Sequence, residues 1–171
     1  MKVFLVGYMA SGKSHLSKEL SDLTGYPNID LDDIFEERYR ISVNDFFNKY
    51  DESSFRRLEQ ELLQETESQP NAIVSTGGGT PCFFRNMEFM KMNGVCIYLR
   101  VNARILAERL QNVKRKRPLL QKVEPGDMEA MVRKQLEIRE PFYLQADHVI
   151  DAQNIIPELI MKLLPELPRV I

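Results

Sequence analysis

Short continuous apolar runs alternate along this chain with stretches in which apolar residues recur every three or four positions. Val3-Phe4-Leu5-Val6 is unbroken and apolar, the pattern of a strand buried on both faces. Leu16, Leu20 and Leu23 follow at helical spacing. The alternation then repeats. Asn28-Ile29-Asp30 predicts a short strand. Ala72-Ile73-Val74-Ser75 and Val95-Cys96-Ile97-Tyr98-Leu99 predict buried ones, and His148-Val149-Ile150 a final strand with Val149 central. Between them, helices are predicted over Ile34 to Arg40, over Val43 to Tyr50, and from Ser53 with Phe55, Leu58 and Leu62 as apolar face. Ser53 or Ser54 would cap that third helix. Further helices are predicted over Phe83 to Met92, from Asn102 or Ala103 to Leu110, and along Met128, Val132 and Leu136 to an end at Arg139–Tyr143. Met87, Met90 and Met92 read as core filler. Ile156, Leu159, Ile160 and Leu163 mark a closing helix. Five strands alternating with helices predict an α/β fold in three layers, a doubly wound five-stranded parallel sheet covered on both faces.

The turn after the first strand carries the chemistry. Gly7-Tyr8-Met9-Ala10-Ser11-Gly12-Lys13-Ser14 fits G-x-x-x-x-G-K-[ST], and it stands between a strand and a helix as that motif requires. Such a loop points backbone N–H groups inward, and the helix N-terminus adds its positive end. Lys13 would reach the β- and γ-phosphates of a nucleotide, and the Ser14 hydroxyl would ligate Mg²⁺ bridging them.

Asp30 and Asp32 lie at a strand's carboxyl end, where open parallel sheets place their ligands. If the segment is extended, alternate residues face one way and both carboxylates share a cleft. Asp30 would then stand near the metal and Asp32 toward an acceptor's hydroxyls. Alternatively, one of them caps a helix starting near Asp33. Thr76-Gly77-Gly78-Gly79-Thr80 ends another strand and is read as bringing bare backbone with free amides against a ligand, a flexible turn being the alternative. That strand has no terminal acid, so Asp30 must cover the usual metal-side role. Arg56 and Arg57, taken alone, read as solvated helix arginines, and Arg139 as a cation offsetting a helix dipole. Lys114-Arg115-Lys116-Arg117, bounded by Pro118 and by Pro125-Gly126, reads as a mobile lid whose Arg117 closes over phosphate. No chemical role is assigned to the imidazoles of His15 and His148.

Bulk composition narrows the class. The 171 residues are 43% hydrophobic and 28% charged, which suits one folded domain spanning 1–171 and excludes a disordered chain. No apolar run is long enough to cross a bilayer, and the first strand leaves no room for a signal peptide. A net charge of −2 argues against general nucleic-acid binding. Cys82 and Cys96 suggest no disulfide framework and a cytoplasmic setting.

Taken together, Gly7 to Ser14, Asp30-Leu31-Asp32, Phe55-Arg56-Arg57-Leu58-Glu59, Gly77-Gly78-Gly79, Arg117-Pro118-Leu119-Leu120 and Arg139-Glu140-Pro141-Phe142-Tyr143 resemble the shikimate kinases, in order and over about Val3 to Leu164. The resemblance implies a P-loop, nucleoside-monophosphate-kinase-like fold with a substrate-binding insertion at about 31–60 and a lid at about 111–125. It implies Mg²⁺-dependent transfer of the ATP γ-phosphate to the 3-hydroxyl of shikimate, in aromatic amino acid biosynthesis, by a monomer acting on small molecules. It implies Lys13, Asp32 and Arg117 as catalytic. Ala10, Ser11, Gly12, Lys13, Ser14, His15, Arg109 and Arg117 would contact ATP, with Arg109 against the adenine. Asp32, Arg56, Gly77, Gly78, Gly79 and Arg139 would contact shikimate, the two arginines clamping its carboxylate. Ser14 and Asp30 would serve the metal. Family members often carry Gly where Ala10 stands and Thr where His15 stands. A gluconate-type sugar-acid kinase, a nucleotide-binding regulatory module and a basic-patch nucleic-acid binder are the alternatives. The Phe55-Arg56 and triple-glycine segments weigh against the first, and Lys13, Asp32 and Arg117 against the second.

Overall fold

The structure, a computed structural model, describes residues 1–113, 125–153 and 156–170. Five parallel strands form one sheet: β1 (Lys2–Val6), β2 (Asn28–Asp30), β3 (Ala72–Ser75), β4 (Val95–Arg100) and β5 (His148–Asp151). Their spatial order is β2-β3-β1-β4-β5. Central β1 pairs with β3 through Val3↔Ile73 and with β4 through Val3↔Val95. The three inner strands are the near-continuous apolar runs, and Val3 to Val6, Ala72 to Val74, Ile97 and Leu99 are fully buried. Edge strand β5 leaves Val149 exposed, so the residue read as central has one solvent side.

The helices are α1 (Lys13–Thr24), α2 (Leu31–Tyr39), α3 (Val43–Lys49), α4 (Glu52–Glu65), α5 (Asn86–Asn93), α6 (Ala103–Val113), α7 (Met128–Tyr143) and α8 (Pro157–Leu163). Leu16 and Leu20 of α1 pack under the sheet, while Leu23 lies toward the surface. Gly25, at φ 70°, closes α1 through its N–H to Ser21 O. The cap of α4 is Asp51, not Ser53 or Ser54: its carboxylate accepts from the Ser54 N–H at 2.8 Å. Asn102 caps α6, its Oδ1 accepting from the Ile105 N–H at 2.9 Å. The helix predicted from Phe83 begins only at Asn86, after a 3₁₀ turn (Thr80–Cys82) and the non-helical Phe83–Arg85. Met87 and Met90 fill the core as expected, but Met92 is 80% exposed. In α8, Ile160 and Met161 carry the burial, Leu159 and Leu163 face outward, and Ile156, just before the helix, is exposed too. Among the described residues no helix is long and apolar enough to cross a membrane. The predicted lid centre, including Arg117, lies outside the described residues.

This topology decides where ligands go. The chain places β2 and β3 on one side of β1 and then crosses to β4 and β5 on the other, the kind of switch that opens a crevice at the carboxyl ends. Gly7 follows β1, Asp30 ends β2 and Gly77 follows β3. Three strand ends therefore bring three separate sequence motifs to one edge.

Candidate active site

The loop after β1 has the backbone its sequence demands. Gly7 and Gly12 sit at φ 146° and 103°, and Ala10 at 63°. A Cβ on Gly7 would lie 2.9 Å from Leu99 O, so glycine is needed there for space as well as for angle. Lys13 is buried, and its Nζ donates to Gly7 O and Tyr8 O, both at 2.9 Å. The ammonium thus lies across the loop it would share with a phosphate. Arg109 of α6 donates to Ala10 O at 3.1 Å, to Ser11 O at 3.3 Å and to Gln153 O at 3.1 Å. It ties the loop to the segment after β5. A cavity of about 310 Å³ opens there, lined by Ala10, Ser11, Gly12, His15, Arg109 and Gln153. The His15 side chain itself is largely exposed, 3.5 Å from Glu19.

Asp30 makes two kinds of contact, one with each oxygen, and one of them is the helix cap that the sequence offered as an alternative. Its Oδ1 caps α2, accepting from the N–H groups of Asp32 at 3.0 Å and Asp33 at 3.4 Å. Its Oδ2 accepts from the Ser14 hydroxyl at 2.6 Å. Ser75, at the end of β3, lies 3.5 Å from Ser14 Oγ and occupies the place where an acid was missed. The extended alternation expected of Asp30 and Asp32 is not what the fold uses. The helix begins at Leu31, so Asp32 is already on its first turn. The two carboxylates part company: Asp30 meets the phosphate loop, and Asp32 lines a second cavity.

That second cavity, about 320 Å³, brings together Asp32, Arg56, Gly77, Gly78, Gly79 and Arg139, with Tyr8 and Met9 of the phosphate loop as one wall. Arg56 is buried, not solvated, whereas Arg57 is exposed. Its guanidinium pairs with Glu59 at 2.8 Å and Glu52 at 2.9 Å. The rings of Phe83, Phe55 and Phe47 lie 4.3, 5.1 and 5.7 Å from it. Burial works against this charge, and Glu59 and Glu52 outweigh burial, so its pKa is raised and it stays a cation. Arg139 is half-buried over the Tyr8 ring.

The triple glycine owes its composition to space rather than to backbone angle. A Cβ on Gly79 would lie 2.6 Å from Arg56 Cζ. One on Gly77 would meet Glu59 Oε1 at 2.5 Å, and one on Gly78 Met9 N at 3.2 Å. The buried Tyr143 hydroxyl donates to Gly78 O at 2.6 Å. Burial raises its pKa well above the usual value and keeps it a donor.

Sequence reasoning gave no role to Glu59, Glu52, Tyr8, Gln135, Phe47, Phe83 or Ser75. Glu59 left a trace: it stands four residues after Phe55 and three before Leu62, an acid within an apolar stripe. Glu52 left one too, an acid four residues before Arg56 on one helix; Tyr8, Gln135, Phe83 and Ser75 had none, because their partners lie in distant segments.

A phosphate loop with a hydroxyl and carboxylate beside it faces a cavity holding two arginines and an aspartate. This defines a P-loop kinase of the nucleoside-monophosphate-kinase-like class, with a small anionic acceptor. Comparison with known proteins agrees. The sequence model of the shikimate kinases matches residues 9–167. The shikimate kinase of Parabacteroides distasonis is 42% identical over 92% of this chain and 91% of its own length. The crystal structure of shikimate kinase from Bacteroides thetaiotaomicron superposes with a TM-score of 0.90 at 36% identity, covering 96% of this chain and 98% of that one. Shikimate kinase from Acinetobacter baumannii, solved in complex with shikimate, gives 0.84 at 32%, covering 95% and 90%. The chain belongs to the shikimate kinase family.

Proposed function

We propose that the cavity between α2, α4, α7 and the glycine loop holds shikimate, and that the cradle after β1 holds ATP. The family's activity, ATP-dependent phosphorylation of shikimate, is the activity of this chain. The observation that carries the assignment of sites is the shared cavity of Asp32, Arg56 and Arg139, walled on one side by the phosphate loop itself.

Each residue's part follows from its chemistry. Arg56 and Arg139 present planar guanidinium donors that match a carboxylate. Asp32 accepts the hydrogen bond of the attacking 3-hydroxyl, which orients its lone pair and gives its proton a place to go. The hydroxyl oxygen bonds to the γ-phosphorus as the bond to the β–γ bridging oxygen breaks, and ADP leaves. Lys13 exchanges its carbonyl partners for phosphate oxygens. Arg109, beside the cavity of Ala10, Ser11, Gly12 and His15, lies along the nucleotide base. Arg117, by family resemblance, brings a further cation to the phosphates from a lid.

The residues present fit Mg²⁺. It takes one or two protein oxygens and completes its shell with water and phosphate. Ser14 Oγ and Asp30 Oδ2 are adjacent hard oxygens beside the loop. Bound there, the ion would neutralise charge on the transferred phosphate. Residues 31–60 then serve as the acceptor-binding insertion of one kinase domain. We further infer a monomer in the cytoplasm; the two unpaired cysteines support the compartment.

The test is a coupled ADP-release assay with shikimate and gluconate offered separately. Shikimate-dependent turnover is expected, and turnover with gluconate alone would overturn the acceptor assignment. Absence of ADP with either would leave a nucleotide-binding module instead.

A further inference from the structure

Tyr8 occupies a position that the phosphate motif leaves open, and its side chain is turned away from the nucleotide cradle. The residue is 1% exposed. Its hydroxyl donates to Gln135 Oε1 at 2.9 Å. The Arg139 guanidinium lies over its ring, 5.5 Å from the centroid. Gln135 and Arg139 stand four residues apart on α7, one turn of the same helix face. One tyrosine of the ATP loop therefore touches two levels of the acceptor wall.

The two arginines of that wall are held differently. Arg56 is partly neutralised by Glu52 and Glu59. Among the described residues no carboxylate lies within ion-pair distance of Arg139. An aromatic face holds a guanidinium in place without cancelling its charge or occupying its N–H donors. Burial raises the pKa of the Tyr8 phenol despite the pull of Arg139, so the hydroxyl remains a donor. With its Oε1 engaged by that donor, Gln135 has its amide N–H groups left to serve the cavity it lines.

We propose that Tyr8 is a positioning residue for the acceptor: its ring seats Arg139 against the ligand carboxylate, and its hydroxyl sets the Gln135 amide toward the ligand's ring hydroxyls. This rests on the reading of Arg139 as a carboxylate clamp. It makes a residue of the nucleotide loop a determinant of acceptor affinity, with little effect on nucleotide affinity.

The test uses the full chain carrying Tyr8→Phe, Tyr8→Leu, Gln135→Ala and the Tyr8→Phe/Gln135→Ala double variant. Shikimate and MgATP are varied in turn at saturation of the other. Tyr8→Leu is expected to raise the shikimate KM about tenfold and the ATP KM less than about twofold. Tyr8→Phe keeps the ring and should match Gln135→Ala at about threefold, with the double variant no worse than either single one. Equal rises in both KM values, an additive double variant, or an unchanged shikimate KM would each overturn the proposal. Should Tyr8→Leu not fold, the Tyr8→Phe cycle with Gln135→Ala decides alone. A native enzyme without shikimate-dependent ADP release would take down the functional reading and this inference together. Native turnover with a Tyr8 series that spares the shikimate KM would sink only the inference.

Discussion

Replacing Glu59 by glutamine removes one charge from the most enclosed ion pair among the described residues. The side chains of Arg56 and Glu59 are 8% and 3% exposed, and their atoms stand 2.8 Å apart. Glu59 also accepts from the Thr80 hydroxyl at 2.5 Å, and so joins α4 to the turn after the glycine loop. Breaking a buried pair from one side typically costs about 3–5 kcal/mol, because the remaining charge is left without compensation. Two features reduce that here. Glu52 still partners Arg56 at 2.9 Å, and the glutamine carbonyl still accepts one hydrogen bond. A loss of about 2–3 kcal/mol follows, equivalent to a fall in Tm of about 5–10 °C for a chain of this size. The functional effect follows from the same geometry. With its inner partner uncharged, the guanidinium swings toward Glu52 and away from the cavity, and the shikimate KM should rise about tenfold with the ATP KM nearly unchanged. Thermal unfolding and steady-state kinetics on one preparation measure both quantities. A Tm within about 2 °C of the native value together with an unchanged shikimate KM would refute the view that Glu59 braces the clamp.

The remaining predictions concern single contacts. Asp32→Asn keeps the shape but loses the proposed acceptor of the hydroxyl proton, so turnover should fall at least about a hundredfold while ATP still binds, measured by rapid quench and nucleotide titration. Glu52→Gln removes an exposed partner that occupies Nε and Nη2 of Arg56, donors a ligand carboxylate would use; the shikimate KM should fall about twofold, and a rise would mean that Glu52 orients the clamp instead. Ala10→Gly relieves a left-handed residue at φ 63° and should raise Tm by about 2–4 °C, for a gain of about 1 kcal/mol in differential unfolding. Burial pushes the thiol of Cys82 up to about 11 and that of Cys96 up to about 12 from 9.0. Their folded-state pKa values exceed the unfolded ones, so their contribution to stability is complete below about pH 9 and declines as pH rises toward 11 to 12. Alkylation with iodoacetamide at pH 7.5 should accordingly be slow for both in the native state and fast after unfolding.

Much of this molecule could be read without coordinates, and the limits of that reading are physical. The phosphate loop was legible because its requirements are local: glycine at left-handed angles, a lysine at fixed spacing, an apolar strand before and a helix after. The strands were legible because both faces of an inner parallel strand are buried and its sequence has to be apolar throughout. Helix bounds were less legible where a cap competed with its neighbours, as with Asp51 against Ser53 and Ser54. That Asp30 caps a helix and also meets Ser14 escaped a reading that set a cap against a place beside the loop, since one carboxylate has two oxygens and can make both contacts.

Only the tertiary structure decided which residues share a cavity. Sequence spacing placed Arg56, Gly79 and Arg139 on three unrelated segments, and family resemblance alone connected them. The parallel sheet connects them physically, because the carboxyl ends of β1, β2 and β3 open on one edge and α4 and α7 pack across it. The glycines of 77–79 show why such facts resist prediction. At 77 and 79 a distant side chain, Glu59 or the Arg56 guanidinium, stands where the Cβ would go, and at 78 the phosphate-loop backbone leaves a Cβ only 3.2 Å from Met9 N. Sequence determines the local geometry a residue can adopt, but the identity of a long-range neighbour exists only once the chain has closed around it.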